Sequence, residues 1–154
     1  EKVELDTILL DVYEDLLPIC KEANMGLTIS LPETLLPPVN ADDMRLKQII
    51  VILLNNAVQY SKSVKPLLLH AYTNKHYVYI QVIDYGIGIP AEEKTAVFEK
   101  FYQVDSSHND RKHYGLGLSI ARELVKMHQG LLLLEDTEDG GCTFTIKLPR
   151  VIED

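Results

Sequence analysis

The chain has 154 residues, 46% of them hydrophobic and 25% charged, with a formal net charge of −8. That suits one globular domain with a sizeable core, and the acidic balance argues against a general nucleic-acid surface. Two cysteines, Cys20 and Cys142, are too few for a disulfide framework, and no apolar run approaches a membrane span.

Reduced thiols in a cytosolic setting are the simple reading. No signal peptide opens the chain, and its start at Glu1 without a Met reads as a fragment of a longer protein. Asp6 is a candidate cap for a first helix reaching about Asn24, with Ile8, Leu9, Val12, Leu16 and Ile19 in helical spacing. Pro18 should bend or restart it, and Gly26 should stop it. Leu27 to Leu31 alternates like a strand, and Pro32 to Pro38 reads as a loop.

A second helix is expected from Asp42 to about Tyr60, with Leu46, Ile49, Ile50, Leu53 and Ala57 as its buried stripe. Leu67 to Thr73 and Tyr77 to Ile83 read as strands joined by a tight turn at Asn74 and Lys75. A glycine loop, Asp84 to Pro90, and a short helix, Glu92 to Val97, follow. Gln103 to Tyr114 is polar and aperiodic, hence a long loop. Leu116 to His128 reads as a third helix. Leu131 to Leu134 and Thr143 to Leu148 close the chain as strands, turned by Asp139, Gly140 and Gly141. In the last, Phe144, Ile146 and Leu148 alternate with Thr143, Thr145 and Lys147, so one face should be buried. This order predicts a two-layer α/β sandwich, a mixed, mostly antiparallel sheet covered on one face by helices.

No P-loop is present, and no Gly-x-Gly-x-x-Gly links a strand to a helix. Two shorter glycine turns stand at useful places. Asp84-x-Gly86-x-Gly88 ends a strand with a carboxylate that can accept a hydrogen bond from an amino group such as that of adenine; taken alone it is equally an ordinary capped turn. Gly115-Leu116-Gly117-Leu118 precedes a helix, whose free amides make an anion site; taken alone it is equally a flexible helix start. On the second helix Ile52, Asn56, Gln59 and Tyr60 share a stripe. Asn56 offers a hard oxygen for Mg²⁺ and Tyr60 a ring for a base pocket, although a surface amide is the commoner fate of an Asn.

In that order these segments resemble the boxes of sensor histidine kinases. Asn56 to Ser61 is similar to their N box and Asp84 to Ile89 to their first glycine box. Phe98-Glu99-Lys100-Phe101-Tyr102-Gln103-Val104-Asp105 resembles their F box, and Gly115 to Ala121 their second glycine box. Gly140 to Phe144 resembles the terminal glycine turn and last strand. The resemblance spans Asp42 to Pro149, and Val3 to Pro38 resembles the start of such a domain.

It implies the Bergerat fold over a single domain, residues 1–154, binding ATP and Mg²⁺. Asp84 would hold adenine, Tyr60 would lie near the base and Asn56 would bind the metal. Gly86, Gly88, Ile89, Phe101, Tyr114, Gly115, Leu116, Gly117, Leu118 and Thr143 would complete the nucleotide site, with residues 103–114 as a lid over the phosphates. The implied activity is transfer of the γ-phosphate to a histidine on a dimerisation domain outside this chain, with a response regulator downstream. The implied setting is the cytoplasmic part of a membrane-anchored bacterial sensor kinase, the domain itself touching neither membrane nor nucleic acid.

Four positions depart from the family pattern. Ile52 stands where a second polar residue is usual, and Gln59 and Gln103 stand where cations are common. His113 and Tyr114 close the lid in place of a Gly and a small residue. Lys62, Lys100, Arg111 and Lys112 are nearby cations that can compensate. Related ATPases of the fold carry a water-activating Glu where Ile52 stands, so hydrolysis has no evident base here. None of His70, His76, His108, His113 and His128 is followed by Glu or Asp, the usual setting of the phosphoacceptor. A nucleotide-sensing pseudokinase module and an anti-sigma-factor serine kinase are the alternatives, the F box opposing the second.

Overall fold

The structure, a computed structural model, describes residues 1–61, 64–86, 88–89, 91–94, 96–98, 117–138 and 140–151. Its core is a five-stranded sheet made of β2 (Leu27–Ser30), β4 (Leu67–Thr73), β5 (Tyr77–Ile83), β6 (Leu131–Asp136) and β7 (Cys142–Pro149). The strand order is β2-β4-β5-β7-β6. β2 runs parallel to β4 and every other pairing is antiparallel. Parallel neighbours need a crossover. Helix α2 (Asp43–Tyr60) supplies it, lying between β2 and β4 in the chain. With α1 (Leu5–Glu22) and α3 (Gly117–Met127) it covers one face of the sheet.

Period-two patterning decides that face. Leu67, Leu69 and Ala71 on β4, Val78, Ile80 and Val82 on β5, and Phe144, Ile146 and Leu148 on β7 are buried against the helices. From the helices come Leu9, Val12 and Leu16 of α1, the expected stripe of α2, and Ala121, Leu124 and Val125 of α3. The opposite face is open and aromatic, with Tyr72 stacked on Tyr79 at 4.6 Å. β7 departs from simple alternation: Thr143 and Thr145 are also buried, because β7 is flanked by β5 and β6 and Gln81 Nε2 donates to Thr145 Oγ1 at 3.1 Å.

Asp42 caps α2 as the sequence indicates, its carboxylate accepting from Arg45 N. Asp6 does not cap α1. The helix is preceded by Glu4, and the Asp6 carboxylate instead accepts from Leu36 N at 2.8 Å, pinning the incoming loop. Pro18 lies inside α1 without ending it. The short helix expected at Glu92 to Val97 is two 3₁₀ turns, Ala91–Glu93 and Ala96–Phe98. A two-residue ladder of β1 (Lys2–Val3) with β3 (Val39–Asn40) is an addition. No helix among the described residues is long and apolar enough to cross a membrane.

Candidate functional site

Asp84 follows the last residue of β5 and prolongs its ladder, donating its N–H to the Cys142 carbonyl at 2.9 Å. Its carboxylate is fixed through one oxygen. Oδ1 accepts from Gly86 N at 3.0 Å and from Cys142 N at 3.2 Å. Oδ2 has no hydrogen-bond partner among the described residues. Burial pushes the Asp84 carboxyl above its ordinary value, and the two amide bonds oppose that shift. The result is a held acceptor with one free oxygen, which can take a hydrogen from an amino group.

The chain behind Asp84 is braced. Thr137 Oγ1 donates to the Asp84 carbonyl at 2.9 Å and lies 3.0 Å from Thr143 Oγ1. Thr143 therefore stands behind Asp84, its hydroxyl engaged with Thr137. Gly141, at φ 106°, presses so closely on the Asp84 carbonyl and Tyr85 Cα that a Cβ would overlap both. Gly88 has φ 79° and sits over the Gly141 carbonyl. The two glycine turns, far apart in sequence, are thus one structure.

Ile89 is half-buried, packs on the core, and its carbonyl accepts from Lys94 Nζ at 3.0 Å. Lys94 also pairs with Asp136 Oδ1 at 2.9 Å. Burial, with Asp84 and Asp136 nearby, pushes the Cys142 thiol up to about 12, so it is a neutral packing group. Tyr85, between Asp84 and Gly86, lies under Lys65 Nζ at 5.0 Å.

Asn56 and Tyr60 are half-buried on α2. Helices α2 and α3 run antiparallel and are tied at both ends. Asp42 N donates to His128 Nε2 at 3.2 Å, while His128 Nδ1 lies 2.7 Å from the Leu124 carbonyl, which fixes the Nδ1–H tautomer. At the other end Ile52 Cγ2 stands 3.4 Å from where a Gly117 Cβ would be. Asn56 is one helical turn, about 6 Å, beyond that level. It therefore stands at the end of α2 that receives the N-terminus of α3.

Leu118 packs on the core. Ile52 is an interhelix contact. Gln59 turns inward, its Oε1 buried without a hydrogen-bond partner among the described residues. Phe98, at the head of the F box, meets Phe144 edge-on at 6.2 Å with Arg122 5.5 Å over its ring. Phe101, Gln103, Tyr114, Gly115, Leu116 and the 103–114 lid lie outside the described residues, as do Lys62, Lys100, Arg111 and Lys112. Sequence reasoning missed Lys94, Thr137 and Cys142. Only the Gly140-Gly141 turn hinted at the last two, and nothing marked Lys94.

Three comparisons bear on this arrangement. Residues 41–152 match the family described as histidine kinase-, DNA gyrase B-, and HSP90-like ATPase. The adaptive-response sensory kinase SasA of Rippkaea orientalis is 32% identical over 148 residues, covering 94% of this chain and 37% of the relative. The chain spans about a third or less of the first curated relatives it matches, 37%, 17% and 15% of their lengths. Among solved structures, the catalytic domain of histidine kinase ThkA superposes with a TM-score of 0.83 at 24% identity, covering 97% of this chain and 95% of that one. Full-length ShkA in complex with AMPPNP superposes at 0.85 and 25% identity, covering 100% of this chain and 32% of that one.

Proposed function

The chain belongs to the histidine kinase-, DNA gyrase B-, and HSP90-like ATPase family, and on that premise we propose that it holds Mg-ATP for transfer of the γ-phosphate to a histidine outside this chain. The matched segment is the family's ATP-binding catalytic domain. The observation that carries the reading is the Asp84 carboxylate, fixed by two amides on Oδ1 and free on Oδ2. An adenine amino group donates to Oδ2, and Tyr60 lies near the base.

The phosphates then extend towards the N-terminal turn of α3, where the positive end of the helix dipole favours anions. Among the described residues no group of three His, Cys, Asp or Glu side chains can hold a metal. Asn56 offers one neutral oxygen that fits a magnesium ion delivered on the nucleotide. Magnesium would neutralise phosphate charge there.

Ile52, packed on Gly117, supplies no base. The chain's own contribution is to bind and orient the nucleotide, leaving the nucleophile to the partner. That partner is a histidine-bearing dimerisation domain of the same protein, in cis or trans, serving a response regulator. The parent is a membrane-anchored bacterial sensor kinase with this domain in the cytoplasm.

Two measurements test the reading. Calorimetry should show ADP binding that strengthens when Mg²⁺ is added. Radiolabelled ATP should phosphorylate the longer protein containing its histidine helix, whereas this domain alone should take up no label and hydrolyse negligible ATP. Absence of nucleotide binding, or rapid hydrolysis by the isolated domain, would contradict it.

A further inference from the structure

The geometry points to Lys94 as the positioning residue that holds the Asp84–Ile89 loop in its nucleotide-binding shape, by clamping the Ile89 carbonyl to Asp136. This rests on the nucleotide reading above and adds to it a residue outside the glycine, N and F boxes.

Besides Lys94, the described residues hold this loop through the Gly86 N–H on Asp84 Oδ1, Gly88 over the Gly141 carbonyl and Ile89 against the core. The loop leaves the sheet at Asp84, and its glycine at Gly88 takes φ 79°, so its backbone is permissive rather than self-fixing. Ile89 is the point at which it is caught again. Its carbonyl receives the Lys94 ammonium at 3.0 Å, a charged hydrogen bond.

That ammonium is anchored in turn. It lies 2.9 Å from Asp136 Oδ1, and the Lys94 side chain is only 22% exposed. Asp136 is the last residue of β6 and pairs with Cys142 in the ladder. Cys142 N donates to Asp84 Oδ1. A closed circuit results, from Ile89 through Lys94, Asp136 and Cys142 to Asp84. It fixes both ends of the loop to the same rung of the sheet.

Among the described residues the Lys94 ammonium contacts the Ile89 carbonyl and the Asp136 carboxylate, so its role here is to position the loop. Its effect is to hold Ile89 and Gly88 at a set distance from Asp84, a pre-organisation that the nucleotide would otherwise have to impose on binding.

The test is Lys94→Met, which keeps the stem length and removes both contacts, with Lys94→Arg as the conservative variant and Asp136→Asn as a milder cut at the anchor. ADP affinity is read by calorimetry, the loop by amide ¹⁵N–¹H shifts of Gly88 and Ile89, and the fold by thermal unfolding. We expect Lys94→Met to weaken ADP binding by about tenfold, the effect of one charged hydrogen bond, while shifting the Gly88 and Ile89 resonances. Lys94→Arg should restore most of the affinity, and Asp136→Asn should lose about threefold, as expected for weakening one partner of the pair. Should Lys94→Met not fold, Asp136→Asn carries the test. Parental ADP affinity in Lys94→Met, or in Asp136→Asn when it stands alone, would overturn the inference, as would loss without recovery by arginine. If the parent itself binds no ADP, the nucleotide reading fails, and the Gly88 and Ile89 resonances alone then decide: unmoved by Lys94→Met, they refute the clamp.

Discussion

Asp84 and Cys142 exchange hydrogen bonds in both directions: the Asp84 N–H donates to the Cys142 carbonyl at 2.9 Å, and the Cys142 N–H returns to the Asp84 carboxylate at 3.2 Å. A side-chain oxygen thereby takes the place of Asp84's own carbonyl in the β5–β7 ladder, and that carbonyl accepts from Thr137 Oγ1 instead. The candidate base-recognising group is therefore part of the sheet rather than a side chain on a free loop. Rigidity of this kind is what a single polar determinant needs if it is to select a ligand.

The raised carboxyl of Asp84 gives a pH dependence with two opposite signs. Binding an amino group requires the ionised acceptor, so ADP affinity should fall on acidification, beginning above the ordinary Asp range. Folding behaves the other way. Folded Asp84 holds its proton more tightly than the unfolded chain does, so its stabilising contribution is full below the unfolded value of 3.8 and is lost as pH rises through the folded value. Asp84→Asn removes that loss. Denaturant melts across about pH 4 to 8 should show the variant at least as stable as the parent at the upper end.

The Gly141 contact predicts unequal costs at two glycines. Gly141→Ala forces both a left-handed backbone and an overlap with the Asp84 carbonyl, and should destabilise by about 3 kcal/mol. Gly88→Ala meets the Gly141 carbonyl at an ordinary 3.4 Å. Its cost should be that of the positive φ alone, about 1–2 kcal/mol. Urea unfolding of the two variants measures the difference, and equal losses would show that Gly141 does not press on Asp84.

His128 ties the start of α2 to the end of α3, and it is not expected to be the phosphoacceptor. Replacing it with Ala leaves the Asp42 N–H without its acceptor and the Leu124 carbonyl without its donor. His128→Ala should cost roughly 2 kcal/mol of stability, with Asn recovering part of it. No label should be lost from a histidine-phosphorylated longer protein carrying the same change, beyond what reduced folding explains. A complete loss of label with the fold intact would contradict this.

Long periodic elements were legible in the chain because burial follows their period. The stripe Leu46, Ile49, Ile50, Leu53 and Ala57 is buried as read, and β4 and β5 begin and end where their alternation does. The α1 start was misread because a carboxylate near a helix start has more than one possible donor, and Asp6 serves Leu36, thirty positions away. The β1–β3 ladder is two residues long and carries no period. At the site, Asp84 was visible because a polar residue interrupts an apolar strand before glycines. Lys94, Thr137 and Cys142 were not, since Lys94 and Thr137 act on the backbone of another segment and Cys142 acts through its own backbone, and such contacts leave no spacing in the sequence. Ile52, which stands where the family commonly has a polar residue, faces the start of α3 at Gly117.

On the proposed function, Asp84 Oδ2 accepts the exocyclic amino group of adenine. Calorimetric titration of the parent and Asp84→Asn with ADP and with inosine diphosphate, which has a carbonyl in place of that amino group, tests it most directly. The parent should bind ADP more tightly than inosine diphosphate by about 1–3 kcal/mol, roughly 5- to 150-fold. Asp84→Asn should lose most of its ADP affinity and most of that preference. Equal affinity of the parent for the two nucleotides, or a preference that survives in Asp84→Asn, would contradict the account.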